Sequence, residues 1–104
     1  MRTTLTQADG MAVLRLAGDL RIGSVAEAKP VLLAMLATDG AIRLDLSELD
    51  ECDTAGLQLL LMTGARARAN GQGFATTGHT ATFLAVLARA GIPLECLACD
   101  PRNG

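Results

Sequence analysis

The sequence predicts an α/β fold with a mostly parallel or mixed sheet of about four strands and with helices mainly on one face. Segments of strand character alternate with segments of helical periodicity in the order β-α-β-α-β-α-β, and the connections are short. Such alternation favours parallel pairing with right-handed crossovers. In residues 41–46 apolar and charged side chains alternate, so we expect a sheet that is covered on one side and wetter on the other.

Length and composition fit one domain. The chain has 104 residues, of which 50% are apolar and 19% are charged. A chain of this size can fold without disulfides or metal, and this composition excludes intrinsic disorder. We expect a single domain over residues 1–104, with its core at about residues 10–98. No segment has the length of a membrane span or the apolar centre of a signal peptide, so we expect a cytoplasmic protein without direct membrane insertion.

The composition also excludes several function classes. The net charge is −2, and the chain has no Trp, no Tyr and only two Phe. It therefore lacks the basic face and the stacking surfaces that nucleic-acid binding needs. A single histidine argues against a catalytic triad or a multi-histidine metal site. We expect no nucleic-acid partner and no cofactor.

The first half of the chain contains two predicted strands and one predicted helix. Residues 11–17 form a strand that ends at a Gly-Asp pair, and residues 41–46 form the clearest strand. Between them an apolar stripe predicts a helix, in which Ser24 and Glu27 have the spacing of a capping box. Pro30 lies inside this helix, so we expect either a kink or a helix that starts near Pro30.

The second half contains two more helices. A polar segment, residues 47–52, leads to a helix at about residues 54–69. The apolar stripe of this helix is made of Leu57, Leu60, Leu61, Gly64, Ala65 and Arg68. Residues 73–77 form a short strand, Thr80 caps a third helix, and residues 94–98 form a last short strand.

Residues 42–61, IRLDLSELDECDTAGLQLLL, are the most informative segment. The strand in it ends at Asp45, an acidic loop follows, and Asp53 precedes an apolar helix. Asp53 suits the N-cap position, because its carboxylate accepts backbone N–H bonds and faces the positive end of the helix. Thr54 then takes the first helical position with its hydroxyl towards solvent, and Gly56 allows the first turn to approach its neighbour closely.

Two interpretations of Thr54 are open. In the simpler one it is a passive surface residue beside a helix cap. In the other it is a switch, because a phosphoryl group adds about −1.5 to −2 charges. Asp45, Asp50, Glu51 and Asp53 already make the predicted corner negative. We therefore expect phosphorylation to change what the corner attracts or repels, rather than to build a charge pair within the domain.

The same segment resembles the STAS domain, which is typified by anti-sigma factor antagonists. The resemblance rests on the strand Leu-Asp-Leu-Ser, the acidic loop, Asp-Thr-Ala-Gly-Leu and the apolar helix, and it spans about residues 10–98. It implies a one-sided mixed sheet, no cofactor, no enzymatic activity and a phosphoacceptor at Thr54. It also implies bacterial partner-switching signalling, in which the domain binds an anti-sigma factor or serine/threonine kinase and regulates transcription, or serves a chemotaxis system.

The site that we expect is built from the motif and its neighbours. Thr54 is the phosphoacceptor and the interface residue. The residues that support it are Asp45, Asp53, Ala55 and Gly56. The rim of the interface is formed by Asp19, Arg21, Asp50 and Glu51. The partner is a protein, and we expect this chain to be a monomer or a weak dimer.

The chain departs from phosphorylated antagonists at two positions. These antagonists commonly have a second hydroxyl residue where this chain has Ala55, and many have an acidic residue where it has Arg21. The Asp-Thr-Ala-Gly-Leu-Gln version is more similar to small stand-alone STAS proteins of chemotaxis loci and to the STAS subunit of phospholipid-transport ABC complexes. In the latter the domain docks on the transporter ATPase, and Thr54 is a contact residue that needs no phosphorylation. Both alternatives stay open.

A metal site has weak support. Cys52, Cys96, Cys99 and His79 include two cysteines at ligand-like spacing. Structural zinc sites present paired ligands from tight turns, however, and this chain has no second pair. We expect no metal, a histidine in a loop, and reduced thiols that are buried or partly buried.

A small enzyme is the remote alternative. Two carboxylates near a helix start can have widely separated pKa values, so Asp45 and Asp53 would form its acid/base pair. The sequence supplies neither a nucleophile with a matching base nor a metal-ligand set. We therefore expect no enzymatic activity.

Overall fold

The computed structural model describes residues 1–38 and 40–99, which form three helices and a mixed sheet. The elements, in chain order, are β1 (Arg2–Ala8), β2 (Met11–Leu20), α1 (Ile22–Leu36), β3 (Ala41–Asp45), β4 (Leu49–Cys52), α2 (Thr54–Asn70), β5 (Phe74–Thr77), α3 (Ala81–Ala90), a 3₁₀ turn (Leu94–Leu97) and β6 (Ala98–Cys99). None of the helices in these two ranges is long and apolar enough to cross a membrane.

The sheet has the predicted mixed character. Its strand order is β1-β2-β3-β5-β6, and β4 pairs with the last residues of β2 beyond this path. The central pairs β2–β3 and β3–β5 are parallel, as is β2–β4, whereas the edge pairs β1–β2 and β5–β6 are antiparallel. The predicted α/β class is confirmed.

The described part of the chain has six strands where we expected about four. Strand β1 was not predicted, and the polar segment expected as a loop contains β4. Strand β2 also continues past Gly18 to Leu20, with a shift in its pairing to β4 after Gly18. The strand expected at residues 94–98 is wrong over most of its length, since Leu94–Leu97 form a 3₁₀ turn.

One face of the sheet carries the helices and the core. Leu14, Ile42 and Leu44 point to this face and are fully buried or nearly so. Arg15 and Arg43 point to the other face and are exposed. The predicted alternation in β3 therefore reports a sheet that is covered on one side.

Helix α2 confirms most of the predicted apolar stripe. Leu57 and Leu60 are buried, and Leu61 is half-buried against the core. Gly64 lies against the ring of Phe74, where an added Cβ would come within 3.0 Å. Ala65 and Arg68 are exposed, so their predicted place on the buried face is wrong.

Helix α1 begins earlier than the predicted capping box. It starts at Ile22, so Ser24 is its third residue rather than its cap. The Ser24 hydroxyl accepts a hydrogen bond from the Arg21 amide at 3.0 Å and donates one to the Asp19 carbonyl at 2.7 Å. The helix continues through Pro30, so the expected alternative of a start near Pro30 is wrong.

Candidate functional site

Asp53 holds together the point where two helices begin. Its Oδ1 accepts a hydrogen bond from the Gly56 amide at 2.9 Å, which is the predicted N-cap bond of α2. Its Oδ2 accepts another from the Ile22 amide at 3.0 Å, at the first residue of α1. The Asp53 amide donates to the Leu20 carbonyl at 3.1 Å. We call this region, residues 20–22 and 52–57, the Thr54 corner.

The electrostatics of Asp53 follow from these bonds. The hydrogen bonds from Gly56 and Ile22 favour the ionised carboxylate, and the Arg21 guanidinium nearby acts in the same direction. Together they hold the pKa of Asp53 below its ordinary value. The carboxylate is therefore a structural anion that satisfies helix N-termini, and it is poorly suited to carry a proton.

Gly56 is required by the closeness of α2 to strand β2. A Cβ at this position would lie 2.2 Å from the Leu20 carbonyl oxygen and 2.8 Å from the Leu20 Cγ. Real Cβ atoms do not approach other atoms so closely, so only glycine fits. This confirms the close approach that the sequence predicted.

Thr54 is an exposed residue of the Thr54 corner whose side chain neither caps a helix nor packs in the core. It occupies the first position of α2 and is exposed, while Ala55 behind it is half-buried. Because Asp53 caps the helix, the Thr54 hydroxyl is not needed for that purpose. It makes no hydrogen bond with residues 1–38 or 40–99.

A groove runs from Thr54 across to helix α3. It has a volume of about 380 Å³. One wall is formed by the end of β4 and the start of α2, and the other wall by the second half of α3. The residues that line it are Cys52, Asp53, Thr54, Leu57, Val86, Arg89 and Ala90. We call it the α2–α3 groove.

Only part of the expected rim lies at the Thr54 corner. Arg21 forms ion pairs with Glu51 and, at 3.7 Å, with Asp19. These three exposed side chains form one charged cluster beside the start of α1. Asp50 instead lines a separate groove with Glu48 and the start of β1, so the structure does not group it with the other three.

Asp45 belongs to a different part of the molecule. It pairs with Arg15 at 3.1 Å and accepts a hydrogen bond from the Ser47 amide at 2.9 Å. Hydrogen bonds from the Ser47 hydroxyl and amide, together with Arg15, hold the pKa of Asp45 below its ordinary value. It lines the open face of the sheet. Among residues 1–38 and 40–99, Asp45 and Asp53 have different hydrogen-bond partners, and no hydrogen bond joins the two carboxylates that the enzyme alternative would use as its acid/base pair.

The cysteines and the histidine have ordinary surroundings. Cys52 is buried, and burial together with the Asp53 charge raises the pKa of its thiol to about 11. Cys96 is exposed, so the expectation of a buried or partly buried thiol is wrong for this residue. The side chain of Cys99 lies outside the described residues. His79 pairs with the Thr76 hydroxyl at 2.8 Å and stacks on the Phe83 ring. Within residues 1–38 and 40–99, no three His, Cys, Asp or Glu side chains are grouped to hold a metal ion.

Two residues of this region, Ile22 and Arg89, were not predicted from the sequence. Ile22 is 77% exposed, an unusual position for a large aliphatic side chain, and its amide is bonded to Asp53. Arg89 lies on α3 and reaches the α2–α3 groove only through the tertiary fold. An isoleucine directly before a glycine and a serine, at a helix start, was the signal available for Ile22. No local signal pointed to Arg89.

Comparison with known proteins identifies the family. The family model described as "Mlab, STAS domain" matches residues 3–93. The chain belongs to the STAS domain family. The match includes β1, which lies outside the region where the sequence alone suggested the resemblance. A search of curated proteins finds no match.

Solved structures of STAS proteins share this fold. An assigned anti-sigma factor antagonist of Thermotoga maritima has a TM-score of 0.77 at 18% identity, over 86% of this chain and 78% of that chain. An anti-sigma factor antagonist of Mycobacterium paratuberculosis has a TM-score of 0.71 at 18% identity, over 86% and 77%. Phosphorylated SpoIIAA of Bacillus has a TM-score of 0.65 at 20% identity, over 88% of this chain and 85% of that chain. At these identities the likeness shows a shared fold, in agreement with the family model.

Proposed function

We propose that this STAS domain binds an ATP-using protein partner through the Thr54 corner and the α2–α3 groove. The observation that carries the proposal is the state of Thr54, which is exposed, makes no hydrogen bond within the described residues and lines the groove. Asp53 performs the capping and Gly56 the packing, so Thr54 is available to a partner. The domain itself performs no chemistry.

The physical basis of binding is an apolar surface next to a polar hydroxyl. Ile22 is the exposed aliphatic side chain of the Thr54 corner, and Leu57 and Val86 line the two walls of the groove. A well-packed apolar anchor commonly contributes much of the affinity of an interface. The charged cluster of Arg21, Asp19 and Glu51 lies at the rim, where charges govern selectivity and association rate more than affinity.

In the first version of this function Thr54 is a phosphoacceptor. The partner is an anti-sigma factor or a serine/threonine kinase of a partner-switching system that controls transcription or chemotaxis. The kinase transfers the γ-phosphoryl group of ATP to the Thr54 oxygen, the hydroxyl proton is released, and ADP remains. Support comes from the likeness to SpoIIAA, which has been solved in an unphosphorylated and a phosphorylated form.

In the second version the domain is a constitutive accessory subunit. It docks on the ATPase of a phospholipid-transport ABC complex, and Thr54 is a contact residue. Support comes from the description of the matching family model and from Ala55, which replaces the second hydroxyl residue of many phosphorylated antagonists. Both versions place the domain in the cytoplasm, where ATP is available.

One set of variants tests the function and separates its versions. A photo-crosslinking side chain at position 22 identifies the partner in cells, and calorimetry then measures its affinity for purified variants. We expect Thr54→Glu to weaken binding at least about 100-fold, because a bulky charged side chain must be desolvated in the interface. Its melting temperature should barely change, since an acidic residue is favourable at a helix start. Thr54→Ala should keep full affinity in the phosphoacceptor version and lose some affinity in the docking version.

The matched control places the same charge on the opposite side of the sheet. Thr4 is an exposed threonine on the open face. Thr4→Glu should bind the partner like the wild type. If Thr54→Glu also binds like the wild type, the Thr54 corner is not the functional surface. If both variants bind weakly, the partner responds to net charge rather than to this site.

A further inference from the structure

Helix α3 brings a cation to the groove that Thr54 lines. Arg89 lies in the last turn of α3 and is exposed. Among the described residues that line the α2–α3 groove, it is the one basic side chain. Thr54 lies in the facing wall, at the first position of α2. A charge carried by Thr54 would thus share one small groove with a guanidinium group.

Arg89 is not engaged elsewhere in the described part of the chain. Its side chain forms no ion pair and no hydrogen bond with residues 1–38 or 40–99. Arginines near other acidic residues differ in this respect, since Arg21 pairs with Asp19 and Glu51, and Arg15 pairs with Asp45. Arg89 is free to meet a new anion without breaking an existing pair.

We propose that Arg89 binds the phosphoryl group of phosphorylated Thr54 and holds it across the α2–α3 groove. This inference rests on the phosphoacceptor version of the proposed function. A guanidinium group presents paired donors that match phosphate oxygens, which makes arginine well suited to this contact. Asp53 lines the same groove and repels the phosphoryl group from its own side, which favours the wall formed by α3.

The consequence is that the phosphoryl group fills the α2–α3 groove and so blocks partner binding. A phosphoryl group held between Thr54 and Arg89 lies over Leu57 and Val86, the apolar residues of the two walls. Phosphorylation then builds an internal charge pair, contrary to the expectation from the sequence, which placed only acidic residues around Thr54. The partner meets a filled groove as well as an added charge.

The test uses the full chain with phosphothreonine introduced at position 54 by genetic code expansion. Phosphorus NMR then follows the second ionisation of the phosphate with pH. Asp53 stays ionised throughout this titration, because its pKa is held low. A difference in phosphate pKa between the wild type and Arg89→Gln therefore measures the effect of the Arg89 charge. We expect the phosphate pKa to be about 0.3–0.7 unit higher in Arg89→Gln than in the wild type. The Arg89 Nε–H signal should move on phosphorylation.

Arg66→Gln is the matched control. It removes the same charge from α2, but Arg66 lies 12 residues after Thr54, about 18 Å further along the helix. It lines a different groove. We expect the phosphate pKa of Arg66→Gln to equal that of the wild type. Arg89→Lys, which keeps the charge but not the paired donors, should give an intermediate value.

Two outcomes would overturn the inference. The first is an equal phosphate pKa in the wild type and Arg89→Gln. The second is an equal rise in Arg89→Gln and Arg66→Gln, which would show a general effect of net charge. Because phosphothreonine is introduced directly, these results do not depend on a kinase. If Arg89→Gln has no effect while phosphothreonine still blocks partner binding, the proposed function stands and this inference falls.

Discussion

Replacing Gly56 with alanine should destabilise the chain, although alanine is the better helix former. The new Cβ would lie 2.2 Å from the Leu20 carbonyl oxygen and 3.0 Å from its carbonyl carbon. To reach ordinary van der Waals separation, helix α2 and the end of β2 must move apart by about 1 Å. The same carbonyl accepts the Asp53 amide at 3.1 Å, so the movement also strains that hydrogen bond.

The size of the effect follows from three contributions. Overpacking a tight contact costs about 1–3 kcal/mol. Weakening the hydrogen bond from Asp53 to Leu20 costs about 1 kcal/mol more. The higher helix propensity of alanine returns about 1 kcal/mol. We therefore expect Gly56→Ala to lower the free energy of unfolding by about 1–3 kcal/mol, and the melting temperature by about 5–15 °C for a chain of this size.

Urea unfolding followed by far-ultraviolet circular dichroism measures this change. The control is Gly23→Ala in the first turn of α1, where an added Cβ would meet no heavy atom within 4 Å. That variant should be as stable as the wild type or more stable, by up to about 1 kcal/mol. A Gly56→Ala protein as stable as Gly23→Ala would refute the close approach of α2 to Leu20 and, with it, the placement of Thr54.

Two further predictions concern the cap and the core. Asp53→Asn retains an N-cap oxygen for Gly56 but presents an amide group to the Ile22 N–H, so it should unfold at lower urea than the wild type near neutral pH. Because the folded pKa of Asp53 is lowered, the advantage of the wild type is present above the unfolded value of about 3.9 and should vanish as the pH falls through the folded value. Urea unfolding of both proteins across this pH range measures the difference in their stability. A difference that grows as the pH falls would contradict the prediction. Leu60→Ala should cost about 2–5 kcal/mol, because Leu60 is fully buried; a loss under about 1 kcal/mol would show that α2 is rotated.

Local pattern was sufficient for the elements whose side chains follow one period. The alternation in β3 and the apolar stripe of α2 each report a single buried face, so both were predicted with nearly correct bounds. The Asp53 cap was also predictable, since its main partner, Gly56, is three residues away. The α/β class followed from such elements, whereas the STAS fold was expected from the resemblance of the motif in residues 42–61 to that family.

Strands β1 and β4 were missed because their own residues carry no apolar alternation. β1 (RTTLTQA) is an edge strand of mostly polar residues, and pairing with β2 determines its conformation. β4 (LDEC) has buried residues only at its two ends and depends on the extension of β2 to Leu20. In both cases the partner strand, rather than the local sequence, supplies the reason for the structure.

The candidate site was predicted where it is local and missed where it is not. Thr54, Asp53 and Gly56 lie within four residues of each other, and a helix start explains all three. Ile22 and Arg89 reach the same region from other elements, through bonds and packing that span 31 residues or more. A single sequence holds no record of such distant contacts.

The Asp53 carboxylate bonds to the first turns of both α1 and α2, so it also determines when the Thr54 corner is complete during synthesis. The amide of Ile22 must wait for a carboxylate that follows 31 residues later, after β3 and β4 have been made. Until then the start of α1 is without this contact, and the Leu20 carbonyl is without the Asp53 amide. A partner that recognises the Thr54 corner therefore recognises chains whose β2, α1, β4 and α2 have already assembled. Nascent or partly folded chains do not present that surface.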